Sequence, residues 1–142
     1  MKNYEDYQVI NGTWGEVWVD DDYMAEVIGL EAKIKLETTD VNQSRRMSKG
    51  QKVTGTEGSG TLKLNKVSSY FIKKMSENMK KGKTTTASII SNLADPDALG
   101  NERIKLSGCL FSELTLADWE MKKNGEESIP FTFTDFEILD AI

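Results

Sequence analysis

The sequence contains no histidine and only one cysteine, Cys109. Without histidine, Ser-His-Asp triads, Cys-His pairs and the usual zinc sites cannot be built, and one cysteine cannot form an internal disulfide. Much of enzyme chemistry is thereby removed. Long apolar stretches are missing too: the longest uncharged apolar runs are a few residues, against the ~18 that a spanning helix needs. The opening Met1-Lys2-Asn3-Tyr4-Glu5-Asp6-Tyr7 lacks the basic-then-apolar order of a signal peptide, so the chain is expected to be made and kept in a cytoplasm. Nor is there an excess of base. With 18 Lys and Arg against 23 Asp and Glu, the net charge is −5, which disfavours tight binding to phosphate backbones; any DNA contact should be loose.

What is present suggests a β protein. At 142 residues, 38% hydrophobic and 29% charged, the chain suits one domain, residues 1–142, with a real core. Residues 1–13 read as an extended arm. Trp14, Val17, Trp18 and Val19 form a short strand, and Asp20-Asp21-Asp22 a tight turn. From Glu26 to Leu36, Ile28, Leu30, Ala32, Ile34 and Leu36 alternate with Gly29, Glu31, Lys33 and Lys35, the period of a half-buried strand. Residues 37–60 hold few aliphatic side chains and read as a long loop, which in a compact domain normally means function, ordering on binding, or disorder.

Alternation returns at Thr61–Val67. Val67, Phe71, Met75 and Met79 then recur every fourth residue, with Ile72 widening the stripe, Ser68 or Ser69 as cap and Gly82 as stop: a helix whose core face is Phe71, Ile72, Met75 and Met79. Thr84–Leu93 is a β-branched strand. A long strand follows, with Ile104, Leu106, Gly108, Leu110, Leu114 and Leu116 on one parity. Ile129–Ile138 is the last strand, with a bulge expected near Thr134 and Asp135 where its apolar parity flips. The expected fold is mainly β: a small antiparallel sandwich or barrel, one packed helix and a long extended loop.

The motifs that resemble chemistry have plainer readings. Gly55–Thr61 is glycine-rich but precedes a strand, whereas a phosphate cradle opens a helix; Gly82-Lys83-Thr84 follows a helix instead of leading one. Asp20-Asp21-Asp22 and Asp95-Pro96-Asp97 lack an EF-hand's spacing and read as turns. Trp14, Trp18 and Trp119 suit core or subunit contacts better than a sugar platform, and Cys109, with no basic neighbour in sequence, is a structural thiol. No catalytic, metal or cofactor site emerges.

Order and spacing carry a resemblance across most of the chain: Gly12–Asp20, Arg45-Arg46-Met47 with Gly50–Thr61, Lys66-Val67-Ser68-Ser69-Tyr70-Phe71, Gly100–Ile104 and Ile129–Phe136. Together they resemble the tail-tube proteins of contractile phages of the PBSX defective-prophage type, a family that also supplies tubes to R-type bacteriocins. The resemblance implies six-subunit rings whose strands join edge to edge around a bore, stacked into a tube. It also implies a surrounding sheath, baseplate and terminator proteins as partners, DNA only as loosely passing cargo, and no cofactor. Ring closure would also remove the hazard of unpaired strand edges. With about four strands per subunit, a ring of ~24 strands has a backbone radius near ~24 Å and a bore of roughly 35–40 Å.

On that reading Glu31, Lys33, Lys35, Lys63 and Asn65 are candidate bore-lining residues. Asp40, Arg45, Arg46, Met47, Lys49, Lys52 and Glu57 are candidates for contact with a neighbouring subunit or ring. A type VI secretion-like tube and a monomeric β-sandwich binding a carbohydrate or small ligand through its tryptophans are the alternatives.

Overall fold

The structure, a computed structural model, describes residues 3–142. Two short 3-10 turns, Asp6–Gln8 and Gly12–Trp14, lead into β1 (Gly15–Val19) and β2 (Asp22–Tyr23). β3 (Val27–Val41), β4 (Gly50–Asn65), helix α1 (Tyr70–Lys80), β5 (Thr86–Leu93), β6 (Glu102–Phe111), β7 (Glu126–Phe133) and β8 (Asp135–Asp140) follow. All pairings are antiparallel, in the order β2-β1-β5-β6-β7-β4-β3, with β8 adding to β6. The expected antiparallel β architecture with one packed helix is therefore present.

The sheet curls around α1. Phe71 and Met75 enter the core, where Phe71 meets Phe111 edge-on at 5.3 Å between ring centroids, Phe111 meets Phe131 at 6.3 Å, and Phe131 meets Phe133 at 6.4 Å. This aromatic row spans from helix to sheet, and Val17, Val19, Leu62, Leu64, Ile89 and Ile129 fill around it. Two β4 glycines leave room for it: a side chain at Gly60 or Gly58 would strike the ring of Phe131 or Phe133 on the adjacent β7. Glycine weakens a strand alone, but a cross-strand aromatic ring laid over it restores packing.

Helix α1 ends as its sequence indicates. Gly82 has φ of +68°, its N–H donates to the Met79 carbonyl, and the Lys83 N–H donates to the Asn78 carbonyl, which is the Schellman arrangement. Its start differs from expectation: Ser69 occupies the N-cap position, yet its hydroxyl makes no capping bond, so burial of Phe71 and Met75 holds this end. Val67 lies outside the helix and is exposed. Ile72 is half-buried and Met79 exposed, correcting the expected four-residue core face: only Phe71 and Met75, one turn apart, enter the core fully, and the last turn lies beyond it.

Three further readings are corrected. Residues 37–60 are not a long loop. The strands continue through them to Val41 and resume at Gly50, leaving only 42–49 as the connection, and the register slips once between Glu37 and Thr38. Main-chain pairing needs no aliphatic side chains, so strands polar on both faces leave no hydrophobic signature. Second, the parity of β6 changes at Gly108 (φ +65°): Leu106 is buried, then Cys109 and Phe111, while Leu110 turns outward and the strand ends before Leu114 and Leu116. Third, the final strand is two strands. Thr134 kinks between β7 and β8 against Gly108, and its N–H donates to the Ser107 carbonyl at 3.1 Å. The expected bulge near Thr134 is thus matched by one opposite it.

The presumed N-terminal arm is also more ordered than an extended segment. Asn11 N–H donates to the buried Asp95 Oδ2 at 2.9 Å, tying the turns to the β5–β6 connection, while Asp95 Oδ1 accepts from Asp97 N–H. Met1 and Lys2 of this arm lie outside the described residues.

Candidate functional site: assembly surfaces

Alternation in β3 and β4 produces two unlike faces. Glu31, Lys33 and Lys35 pair with Thr61, Ser59 and Glu57, and Lys63 with Gly29, so all lie on the face away from the core. Asn65, opposite Glu126 of β7, extends the same face. The five candidate bore residues are therefore brought together and exposed. Three lysines (Lys33, Lys35, Lys63) share this surface with three glutamates (Glu31, Glu57, Glu126), so the wall carries no dominant sign. Lys33 and Glu31 pair at 3.6 Å, a solvated contact of little energetic weight.

The opposite face is continuous with the core. Leu30 pairs with the buried Leu62, Ala32 with Gly60 and Ile34 with Gly58, so Ile34 and Leu36 carry the apolar side beyond the helix-covered body. β8 does likewise: Phe136 pairs with Leu106 and Ile138 with Ile104. Yet Ile34 is 39% exposed, Leu36 54%, Phe136 46% and Ile138 59%. The sequence shows the even-numbered apolar set of β3 but not where its covering partners end, so this patch reads there as core.

Main chain is also left open here. β8 has only β6 as neighbour, β3 ends the strand order, and β4 is flanked by β7 only from Gly58 onward. The β3–β4 hairpin and β8 therefore diverge from the Gly58–Phe133 pair, each offering an unpaired edge.

The candidate contact residues separate by position. Arg45, Arg46, Met47 and Lys49 occupy the hairpin's connection, with Arg45 at φ +63° and Met47 fully exposed. Asp40 and Lys52 lie on the adjoining strand ends, where Lys49 Nζ reaches Asp40 at 3.3 Å; Glu57 lies lower, opposite Lys35. The hairpin tip is basic: residues 40–53 hold four cations and one carboxylate.

The acidic turns hold the fold together. Asp20 and Asp21 both have positive φ, as a two-residue hairpin between β1 and β2 requires. Asp20 accepts from Lys74 Nζ at 2.7 Å and from Ser88 N–H at 2.9 Å, and Tyr70 donates its hydroxyl to Asp22 at 2.9 Å, which latches α1 to the turn. Burial alone would raise the Asp20 pKa, but the Lys74 ammonium and the Ser88 donors outweigh it and hold the carboxyl below its usual range. The latch is accordingly present above the ordinary carboxylate pKa and fades as pH falls through the lowered value. Of the tryptophans, Trp18 packs on Tyr23 at 5.3 Å, Trp14 stands exposed beside β1, and Trp119 stands exposed in the β6–β7 connection.

Burial pushes the Cys109 thiol up to about 11, and the group points at the Leu106 carbonyl. It should stay a neutral thiol at neutral pH. A disulfide-exchange reagent is expected to find no reactive thiol in the folded chain and one after denaturation; rapid native labelling at pH 8 would show the core to be open there.

Comparison with known proteins places the chain in a family. The phage tail tube protein family model matches residues 2–140. The chain belongs to that family. Protein XkdM of the phage-like element PBSX and the uncharacterized protein YqbM, both of Bacillus subtilis (strain 168), are each 32% identical over 135 residues, covering 94% of this chain and 92% of the relative. A chain of the extracellular contractile injection system PVC, in its sheath-tube complex in the extended state, superposes with a TM-score of 0.70 at 10% identity, covering 98% of this chain and 100% of that one. A chain of the anti-feeding prophage tube-terminating cap gives 0.71 at 13% identity, covering 99% and 95%. The tail tube proteins are structural subunits, not enzymes, and this chain is a structural component of a phage tail. Among the described residues, no helix is long and apolar enough to cross a membrane.

Proposed function

We propose that this subunit builds the inner tube of a contractile phage tail or phage-tail-like bacteriocin. Six copies form a ring, rings stack into a conduit, and the whole chain acts as one tube domain. The observation that carries the reading is the pairing of unpaired main-chain edges with an exposed continuation of the core face on β3 and β8. A neighbouring copy that pairs with either edge covers both at once. The structure of the anti-feeding prophage baseplate, in which another chain of this fold is found, is 6-fold symmetrised.

The mixed-sign face of Glu31, Lys33, Lys35, Lys63 and Asn65 then lines the bore. A wall of alternating charge neither grips a polyanion at every step, as a basic one would, nor repels it uniformly. DNA passes as loose cargo, or the empty tube pierces an envelope. Sheath protein surrounds the tube, and baseplate and terminator proteins meet its ends. Assembly takes place in the bacterial cytoplasm, before the particle is released.

Purified protein, concentrated and imaged by negative stain, tests this. Rings or tubes are expected, and a species that stays monomeric on a sizing column under all assembling conditions would overturn the reading in favour of a lone binding module. Limited trypsin digestion adds a local readout. Arg45 and Arg46 lie in the exposed connection, so the monomer is expected to be cut there quickly and the tube to be protected; equal cutting in both states would remove the hairpin from the contacts.

A further inference from the structure

We propose that the acidic corner at residues 118–128 is the socket for the basic hairpin tip of a second copy, so that copies join head to tail. The proposal rests on the tube reading above and names the contact between successive rings.

The two surfaces stand at opposite ends of one hairpin. Gly50 begins β4 at the tip, while Asn65 ends it beside Glu126, and the Lys66 N–H donates to the Gly125 carbonyl at 2.8 Å. At about 3.3 Å per residue the strand separates them by roughly 50 Å, so a chain cannot seat its own tip. A contact between unlike patches at opposite ends propagates from copy to copy. In a closed barrel whose strands run at about 40° to the axis, those ends fall on opposite rims.

The corner has the chemistry to hold a cationic side chain. It encloses a cavity of about 320 Å³ lined by Asp118, Trp119, Glu120, Glu126 and Glu127 among others. Four carboxylates face two lysines in the 118–128 sequence, and Lys123 pairs with Glu120 at 3.8 Å. Glu127 is buried, with its Oε1 shut off from water and making no hydrogen bond; Lys66 Nζ lies 3.4 Å away but out of line for one. A buried acceptor left without a donor is costly, and a guanidinium brings several donors in a planar fork. Trp119, exposed on the same rim, offers a ring face to the same cation. Among the described residues no group of three or more ligands is placed to share a metal ion, which favours a side-chain cation over a divalent metal. The tip supplies Arg45 and Arg46, of which Arg46 is held only by Gln43 at 3.4 Å and Arg45 by no side chain.

Charge reversal on each surface tests this with the full chain. Arg45→Glu with Arg46→Glu, and separately Asp118→Lys with Glu126→Lys, are each expected to keep the wild-type denaturation midpoint and to stop at single rings. The protein concentration needed for tubes should rise at least about tenfold. An equimolar mixture of the two variants is expected to recover tubes, because each tip then meets a socket of opposite sign. Tubes of wild-type length from either variant alone, or failure of the mixture to recover, would overturn the socket while leaving the tube reading intact. Absence of assembly by the wild type would overturn both.

Discussion

Replacing Phe111 with alanine is expected to remove about 3–5 kcal/mol of stability. Phe111 is buried between Phe71 of the helix and Phe131 of β7, meeting both at steep interplanar angles of 70° and 68°. Truncation deletes the middle of the aromatic row, and Phe71 and Phe131 are too far apart to close the gap by small movements. Edge-to-face pairs add about 0.5–1.5 kcal/mol each beyond burial, so the loss falls toward the upper end of the range. Against a total stability of about 5–15 kcal/mol this is a large fraction. Urea unfolding should show the midpoint falling by roughly 2 M, for a slope of about 1–3 kcal/mol/M. Met79→Ala, on the exposed turn of the same helix, should stay within about 0.5 kcal/mol of wild type. A Phe111→Ala loss below about 1 kcal/mol would mean that the row is not what joins helix to sheet.

Changing Ile34 and Leu36 together to glutamate is expected to do the reverse: leave the monomer's stability within about 0.5 kcal/mol and abolish tubes. Both side chains are exposed in the lone chain, where neither has a core partner to lose. In the proposed ring they would meet a neighbour, and each substitution would replace apolar burial with a carboxylate that has no counter-charge opposite it. A cost of about 2 kcal/mol or more per carboxylate weakens each contact by roughly 10³, repeated at every subunit. Monomers by sedimentation with an unchanged unfolding midpoint is the expected result. Tubes formed at wild-type concentration would show that this face stays in solvent.

The two substitutions divide the sequence much as legibility did. Phe71, Met75 and the alternation from Glu26 onward were readable because burial against a core imposes a period, and the fold class followed from them. The hairpin beyond Leu36 was not: its strands are held by main-chain pairing between polar faces, which leaves composition looking like a loop. The parity change in β6 was hidden for a related reason. Ile104, Leu106, Leu110 and Leu114 keep one parity in sequence, and only the positive φ of Gly108 turns Cys109 and Phe111 inward instead. Of the candidate surfaces, the five bore residues fell on one face because strand periodicity dictates it. Ile34 and Leu36 were read as core because the sequence cannot show where the covering helix ends. The acidic 118–128 connection carries no period that would mark it as a surface, and the basic tip proposed to fit it is far away along the chain.

Gly108 and Thr134 have a consequence for how this chain tolerates length changes. Each strand carries one surplus position, and the two surpluses face each other across the ladder, so inward and outward positions return to step on both strands together. Deleting Gly108 alone would keep Leu106, Cys109 and Phe111 on the inner face but leave Thr134 as an unmatched surplus, and deleting Thr134 alone would keep Phe133 and Phe136 on one face and leave Gly108 unmatched. Removing both would preserve the alternation but straighten the bend that parts β8 from β4. A gap at either place therefore keeps the inner face but leaves an unmatched bulge opposite, and gaps at both would narrow the fork in which the proposed neighbour pairs.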